Sequence, residues 1–319
     1  MHQAPAWLPY RLRNWIDQWR IDRAVGEIGR TRPRPAAEGG QAAAEVHMLF
    51  CRRDLRIGLV ALKSLLRFAG GRLGVALSDD GSLTERDRAW VSRHIPGARW
   101  LHGVGNDPQI RRLLSGRPRL TRLYDDGDFP LAAKVVHPMA LAHSRRIILL
   151  DPDTAFFGPP KQILTWLETP EPQLWYMHDH QDEAMVIPAA AEQVLEQMAR
   201  HLTSPGRTWA VQHRLFNSGL LLFHPEALDL DAAEQFLEWR KGLEASQCRG
   251  PLNIWFGPWT PEQTAYHVMF ALSSAPVHPL GDDYHLGGAE GHVFNHFLRH
   301  YLVQRPTLAR LRALVDALD

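Results

Sequence analysis

The sequence predicts an α/β fold, a mostly parallel central sheet flanked by helices, preceded by an amphipathic N-terminal helix. Three observations lead there. Short apolar runs alternate with longer stretches whose apolar residues recur at helical spacing. No internal repeat interrupts the alternation. Acidic clusters stand at the carboxyl ends of the apolar runs, where open α/β sheets collect their binding residues.

The N-terminal helix is expected within residues 1–30. Leu8, Leu12, Trp15, Ile16 and Trp19 form one apolar stripe, Pro9 suits a first helical turn, and Arg11, Arg13 and Arg20 fall off the stripe. Such a helix either docks through its tryptophans on the main domain or a partner, or lies on a membrane, with Trp at the headgroups and Arg facing anionic lipid. Core packing is the commoner use. Residues 31–45, rich in Pro, Ala and Gly, read as a linker, and residues 46–319 as a single domain.

In that domain Val46–Phe50 is the first strand and Leu55–Phe68 a helix, with Leu59, Leu62, Leu65 and Leu66 inward and Gly70-Gly71 as its stop. Leu73–Leu77 is a strand running into Ser78-Asp79-Asp80-Gly81-Ser82. Thr84 caps a helix reaching Val91. Ala98–Leu101 is a strand, Gln109–Leu114 and Ala132–Ala142 are helices, and Arg146–Leu150 is the strand that delivers Asp151-Pro152-Asp153. Then follow Lys161–Leu167 (helix), Gln173–Met177 (strand), Ala189–His201 (helix), Gly219–Phe223 (strand), and the helices Leu228–Leu243 and Pro261–Leu272.

Composition narrows the function. Of 319 residues, 45% are hydrophobic and 22% charged, as in ordinary globular proteins. The net charge of +1 hides an Arg excess in the first thirty-five residues, so the rest is slightly acidic, which argues against a nucleic-acid partner. Two cysteines, Cys51 and Cys248, make neither a disulfide framework nor a zinc pattern, which fits the cytosol and leaves one disulfide open. The 17 histidines include no His-Glu-x-x-His. No apolar run spans a bilayer and no signal peptide is read, so the expected location is cytoplasmic, with the option of peripheral contact at the inner face of a membrane through residues 8–25.

Asp151 and Asp153 are two apart, which puts both carboxylates on one face of extended chain, and Pro152 stiffens the backbone between them. Two hard oxygen donors at a strand end suit Mg²⁺ or Mn²⁺, bridging to a diphosphate. A solvated turn with Asp capping the next helix is the plain alternative.

Lys134, then Leu149-Leu150-Asp151-Pro152-Asp153, then Phe216-Asn217-Ser218-Gly219-Leu220-Leu221-Leu222, then Glu262-Gln263-Thr264-Ala265 follow in order. With them the stretch from Val46 to Leu302 resembles the GT-A class of glycosyltransferases, Rossmann-like in fold, and most of all the retaining galactosyltransferases and glycogenin-like enzymes. The resemblance implies a nucleotide-sugar donor, by default a UDP-sugar, an Mn²⁺ or Mg²⁺ ion, and a glycan or lipid-linked acceptor.

It also implies roles for particular residues. Lys134, Asp151 and Asp153 would serve the donor diphosphate. Cys51, Arg52 and Asp54 would lie at the nucleotide base. Asp79 or Asp80 would accept from uracil or ribose, a plain turn being an equal reading. Asn217 would face the donor sugar, with Gly219 admitting a ligand to the backbone. Glu262 and Gln263 would stand beside the reacting sugar carbon, although Glu at a helix start is also ordinary dipole chemistry. The third metal ligand would be His292, with His285 and His296 as rivals, and an imidazole tilts the choice toward Mn²⁺. The sequence departs from the family here: the Gly and Lys-Pro-Trp that usually follow the histidine are replaced by Val293-Phe294-Asn295-His296-Phe297. His178-Asp179-His180-Gln181-Asp182 could meet sugar hydroxyls, and Trp255, Phe256 and Trp259 could stack on a sugar face or pack in the core.

Other classes fit less well. An aspartyl phosphatase wants Thr or Val two places beyond the second Asp, where Ala155 stands, and a nucleotidyltransferase wants a Gly-rich loop after the first strand, where Arg52 and Arg53 stand. A nucleotide-sugar-binding pseudoenzyme remains the non-enzyme alternative.

Overall fold

The computed structural model describes residues 9–38, 41–127, 129–178, 189–202, 216–243 and 261–319. Ten strands and twelve helices are used below. The strands are β1 Ala44–Phe50, β2 Leu73–Asp79, β3 Arg99–Leu101, β4 Ile147–Leu150, β5 Thr154–Phe156, β6 Leu174–His178, β7 Phe216–Phe223, β8 Val277–Pro279, β9 Tyr284–Leu286 and β10 Phe294–His296. The helices are α1 Tyr10–Ala24, α2 Leu55–Ala69, α3 Glu85–His94, α4 Pro108–Leu114, α5 Pro118–Asp125, α6 Ala132–Leu141, α7 Lys161–Trp166, α8 Ala189–Leu202, α9 Leu230–Lys241, α10 Pro261–Ala271, α11 Arg299–Leu302 and α12 Arg305–Asp316.

The main sheet has seven strands in the order β3-β2-β1-β4-β7-β6-β8. Its pairs are parallel except where β7 runs against β4 and β6. This is the mostly parallel sheet that the alternation of elements predicts. β1 and β4 are buried along their whole length, as strands covered by helices on both faces must be. Their side chains alternate between two cores: Ile148 and Leu150 join the layer containing α2, whereas Ile147 and Leu149 join the layer containing α6 and α10.

Local chemistry sets the helix ends. Gly70, at φ 60°, closes α2 in the left-handed conformation that glycine tolerates. Thr84 and Asp87 form a reciprocal capping box at the start of α3. Several elements are missing from the sequence reading. They are the three-residue strand β8 at the edge of the main sheet, the three-residue strands β5, β9 and β10, which form a second sheet in the order β5-β10-β9, and the helices α5, α11 and α12. Three residues carry no usable periodicity.

The N-terminal helix is present, but docking on the main domain through its tryptophans is corrected. Ile21, Ala24, Val25 and Ile28 enter the core, whereas Leu12, Trp15 and Trp19 are exposed. The stretch read as a linker is laid along the domain. Arg34 N donates to His94 O at 2.9 Å, Ala36 N to Pro96 O at 2.8 Å and Ala37 N to Leu73 O at 2.7 Å. The buried Lys63 ammonium grips it, donating to Thr31 Oγ1 at 2.6 Å and Arg32 O at 2.9 Å. Among the described residues no helix is long and apolar enough to cross a membrane.

Candidate metal and donor site

β4 ends at Leu150, and the Asp-Pro-Asp turn that follows is tied on three sides. Asp151 N donates to Gly219 O on β7 at 2.9 Å, and Phe297 N donates to Asp153 O at 2.7 Å. Thr154 Oγ1 donates to Asp151 O at 2.7 Å. Helix α2 passes close beneath, and it does so at Gly58, where a Cβ would run into the Phe50 ring and sit 3.2 Å from Pro152 Cβ. The turn is thus a rigid platform, with both carboxylates half-buried.

The small sheet brings a third group to it. β10 ends at His296, whose Nε2 lies 3.2 Å from Asp153 Oδ1 and 3.8 Å from Asp151 Oδ2. Ligand atoms of the three residues all fall within 4.8 Å of one another. On its other side, His296 Nδ1 lies 3.0 Å from Asn217 Oδ1. That same oxygen accepts from Gly219 N at 2.8 Å. A backbone N–H can only donate, so the Asn217 atom facing it is the oxygen, and Nδ1 must carry the proton. In the neutral ring the Nε2 lone pair then points at the aspartates. Burial depresses the His296 pKa, but Asp153 and Asp151 outweigh it and the net shift is upward. Gly219 is needed for this packing, because a Cβ there would collide with the His296 ring. Its absent side chain makes room for the histidine, where the sequence suggested room for a ligand.

Two carboxylates and one imidazole nitrogen fit a divalent cation of the Mn²⁺ type, which accepts mixed oxygen and nitrogen donors. The ring is already oriented from its far side, the arrangement usual for ligating histidines. His292, the expected third ligand, is not brought to the aspartates. It is half-buried, its Nδ1 lies 2.8 Å from Asp282 O, and its ring stacks on His285 at 4.3 Å between centroids. Of the three histidines considered, His296 alone joins the cluster.

Behind the cluster sits a buried cation. Lys134 Nζ on α6 lies 2.7 Å from Asp151 Oδ1 and 2.9 Å from Glu262 Oε1 on α10. Burial alone would depress the ammonium, yet Asp151 and Glu262 more than reverse this and hold Lys134 charged. Glu262 is pushed up by burial, with Lys134 opposing. One cation thus serves two carboxylates. Gln263 Oε1 accepts from Ser218 N at 3.2 Å, tying α10 to β7. Tyr266 OH donates to Lys134 O at 2.6 Å and ties it to α6.

The other expected residues are placed as follows. The Cys51 thiol donates to Asp54 Oδ2 at 3.0 Å, and burial pushes its pKa up to about 12. Arg53 pairs with Asp54 and also feels the charge of Asp153, so the loop after β1 borders the cluster. The Asp79 carboxylate is fully buried, bound by Arg88 Nη1 at 2.8 Å and by Gly81 N at 2.7 Å. Asp80 accepts from Ser82 N at 2.9 Å. Both side chains are therefore engaged in the turn. Asp179, His180, Gln181, Asp182, Cys248, Trp255, Phe256 and Trp259 lie outside the described residues. The sequence reading missed the role of Arg53 and the contact of Asn217 with His296. Asn217 sits inside β7, just ahead of the apolar run Gly219–Phe223 that was visible.

No protein-family model and no curated protein matches the sequence. Solved structures match the fold. An active-site mutant of LgtC, a galactosyltransferase, shares 13% identity with a TM-score of 0.50, over 86% of this chain and 95% of its own. Mouse xyloside xylosyltransferase 1 shares 17% identity with a TM-score of 0.48, over 84% of this chain and 99% of its own. Core-mannan synthase A from Aspergillus fumigatus, in its Mn/GDP form, shares 13% identity with a TM-score of 0.46, over 79% of this chain and 76% of its own. The likeness to LgtC bears on fold alone, and the fold is GT-A, as expected from the order of the motifs.

Proposed function

We propose that this chain is a metal-dependent glycosyltransferase that moves a sugar from a nucleotide diphosphate donor to a glycan or lipid-linked acceptor. The observation that carries the reading is the convergence of Asp151, Asp153 and His296 at strand ends of a GT-A fold. Those three residues would hold a divalent cation, Mn²⁺ before Mg²⁺, which supplies positive charge to the diphosphate as it leaves.

The chain's own residues would do the rest. Asn217 holds His296 in the tautomer that leaves Nε2 free to ligate. Lys134 fixes Asp151 from behind, so the carboxylate need not reorganise when a ligand arrives. Glu262 and Gln263 head α10 next to β7. There they support the reading of an amide and a carboxyl group near the reacting sugar. The loop after β1, with Cys51, Asp54 and the Arg53 guanidinium, would take the nucleotide, as the resemblance implies. UDP is the default base by resemblance only.

A test is release of nucleoside diphosphate from a panel of UDP- and GDP-sugars. The expected result is slow donor hydrolysis that requires Mn²⁺ and disappears in Asp153→Asn. Metal-dependent binding without release would favour a nucleotide-sugar-binding pseudoenzyme. Release indifferent to metal would refute the site.

A further inference from the structure

We propose that α1 is a membrane-docking element that seats this protein on an anionic bilayer surface. The inference goes beyond the proposed chemistry and does not depend on it.

Helix α1 has two opposed faces. One is committed to the domain. Ile21 and Ala24 are buried, Gln18 Nε2 donates to Arg53 O at 2.8 Å, and Arg299 donates to Gln18 Oε1 at 3.2 Å and to Asn14 O at 3.0 Å. The opposite face carries Leu12, Trp15 and Trp19, which are 43%, 65% and 50% exposed. On a helix these three positions fall in one stripe. The docked face clamps the helix at several points, so the tryptophans are held outward by the fold.

The charge around the stripe points to the kind of surface it meets. Arg11 and Arg23 are exposed, and the Arg23 guanidinium lies 5.4 Å from the Trp19 ring centroid. The acids of the helix are engaged: Asp17 faces Arg20 at 3.7 Å, and Asp22 accepts from Gln18 at 3.3 Å. Beside α1 opens a cleft of about 750 Å³ whose lining includes Arg30, Arg52, Arg53 and Arg56, against Asp22 and Asp87. Tryptophans with arginines alongside match the headgroup zone of an anionic membrane, where indoles sit at the interface and cations meet lipid phosphates. A protein partner would be met by a broader dry patch than three side chains rimmed by cations.

The helix also touches the loop that borders the metal cluster, through the Arg53 carbonyl. If the proposed transfer is correct, docking through α1 would hold the site beside the membrane, which suits a lipid-linked acceptor.

The experiment is co-sedimentation of the full chain with vesicles of phosphatidylcholine alone, and with one part in three phosphatidylglycerol. Binding is expected only to the anionic vesicles and should weaken as salt rises. Trp15→Ala/Trp19→Ala should reduce it by at least about tenfold, as should Arg11→Glu/Arg23→Glu. All four side chains are exposed, so circular dichroism should be unchanged and donor hydrolysis in solution should persist. Failure to bind anionic vesicles, or undiminished binding by both variants, would overturn the proposal. So would self-association that the Trp variant abolishes without any vesicle binding, since the stripe would then be a protein interface. Loss of hydrolysis in the unaltered chain would count against the proposed chemistry and leave the vesicle result standing.

Discussion

Nδ1 of His296 lies 3.0 Å from Oδ1 of Asn217, and the same oxygen receives the Gly219 amide at 2.8 Å. Asn217 and Gly219 belong to β7, next to the strand that ends in the aspartates, whereas His296 ends a strand of the small second sheet. One side-chain amide therefore joins the two sheets and decides which imidazole nitrogen faces Asp151 and Asp153.

Replacing Asn217 by Ala should weaken Mn²⁺ binding by about 10- to 100-fold, the usual cost of losing the group that orients a ligating histidine. Asn217→Asp keeps an acceptor for both N–H groups and should retain most of the affinity. Titration calorimetry with Mn²⁺ alone checks this. Equal affinity in the Ala variant would mean that His296 is not a ligand or is oriented by something else.

Lys134→Met should destabilise the fold by about 3–5 kcal/mol, because it strands Asp151 and the buried Glu262 without their shared cation. Adding Glu262→Gln should recover part of the loss. Urea denaturation of the single and double variants measures both. A cost below about 1 kcal/mol would put the triad in the class of exposed ion pairs.

His137 sets a pH dependence. It is 4% exposed, lies 2.7 Å from Ser78 Oγ and 2.9 Å from Tyr124 OH, and burial lowers its pKa to about 4. The unfolded chain takes up this proton as pH falls through about 6.5, and the folded chain only near 4. Stability is therefore present above the unfolded pKa and is lost as pH falls between those values, by about 3 kcal/mol at most for this group. Urea midpoints at neutral and mildly acidic pH should differ less in His137→Gln than in the parent. Identical slopes would contradict the assignment.

The legibility of the sequence followed the strength of local patterns. β4 and its Asp151-Pro152-Asp153 turn were visible because a strand buried on both faces is a continuous apolar run, and a Pro between two acids stands out after it. α2 was visible because its leucines recur at helical spacing and a left-handed glycine ends it. The third group of the cluster was hidden. It arrives on β10, three residues long and paired with β5 and β9, so its position depends on contacts far apart in sequence. His292 and His296 are four residues apart in the sequence, yet only the second ends a strand that faces the turn. In α1 the apolar stripe was legible but its direction was not, because spacing says which residues share a face and not which face the domain covers. Ile21 and Ile28, near the end of the pattern, decide that.

The most direct measurement is titration calorimetry of the full chain with UDP, with and without Mn²⁺, for the unaltered protein and for Asp153→Asn and His296→Ala. A metal-dependent diphosphate site built from Asp151, Asp153 and His296 requires UDP binding that appears with Mn²⁺ and is lost in both variants while their circular dichroism is unchanged. UDP binding of equal strength without metal, or undiminished in either variant, would contradict it.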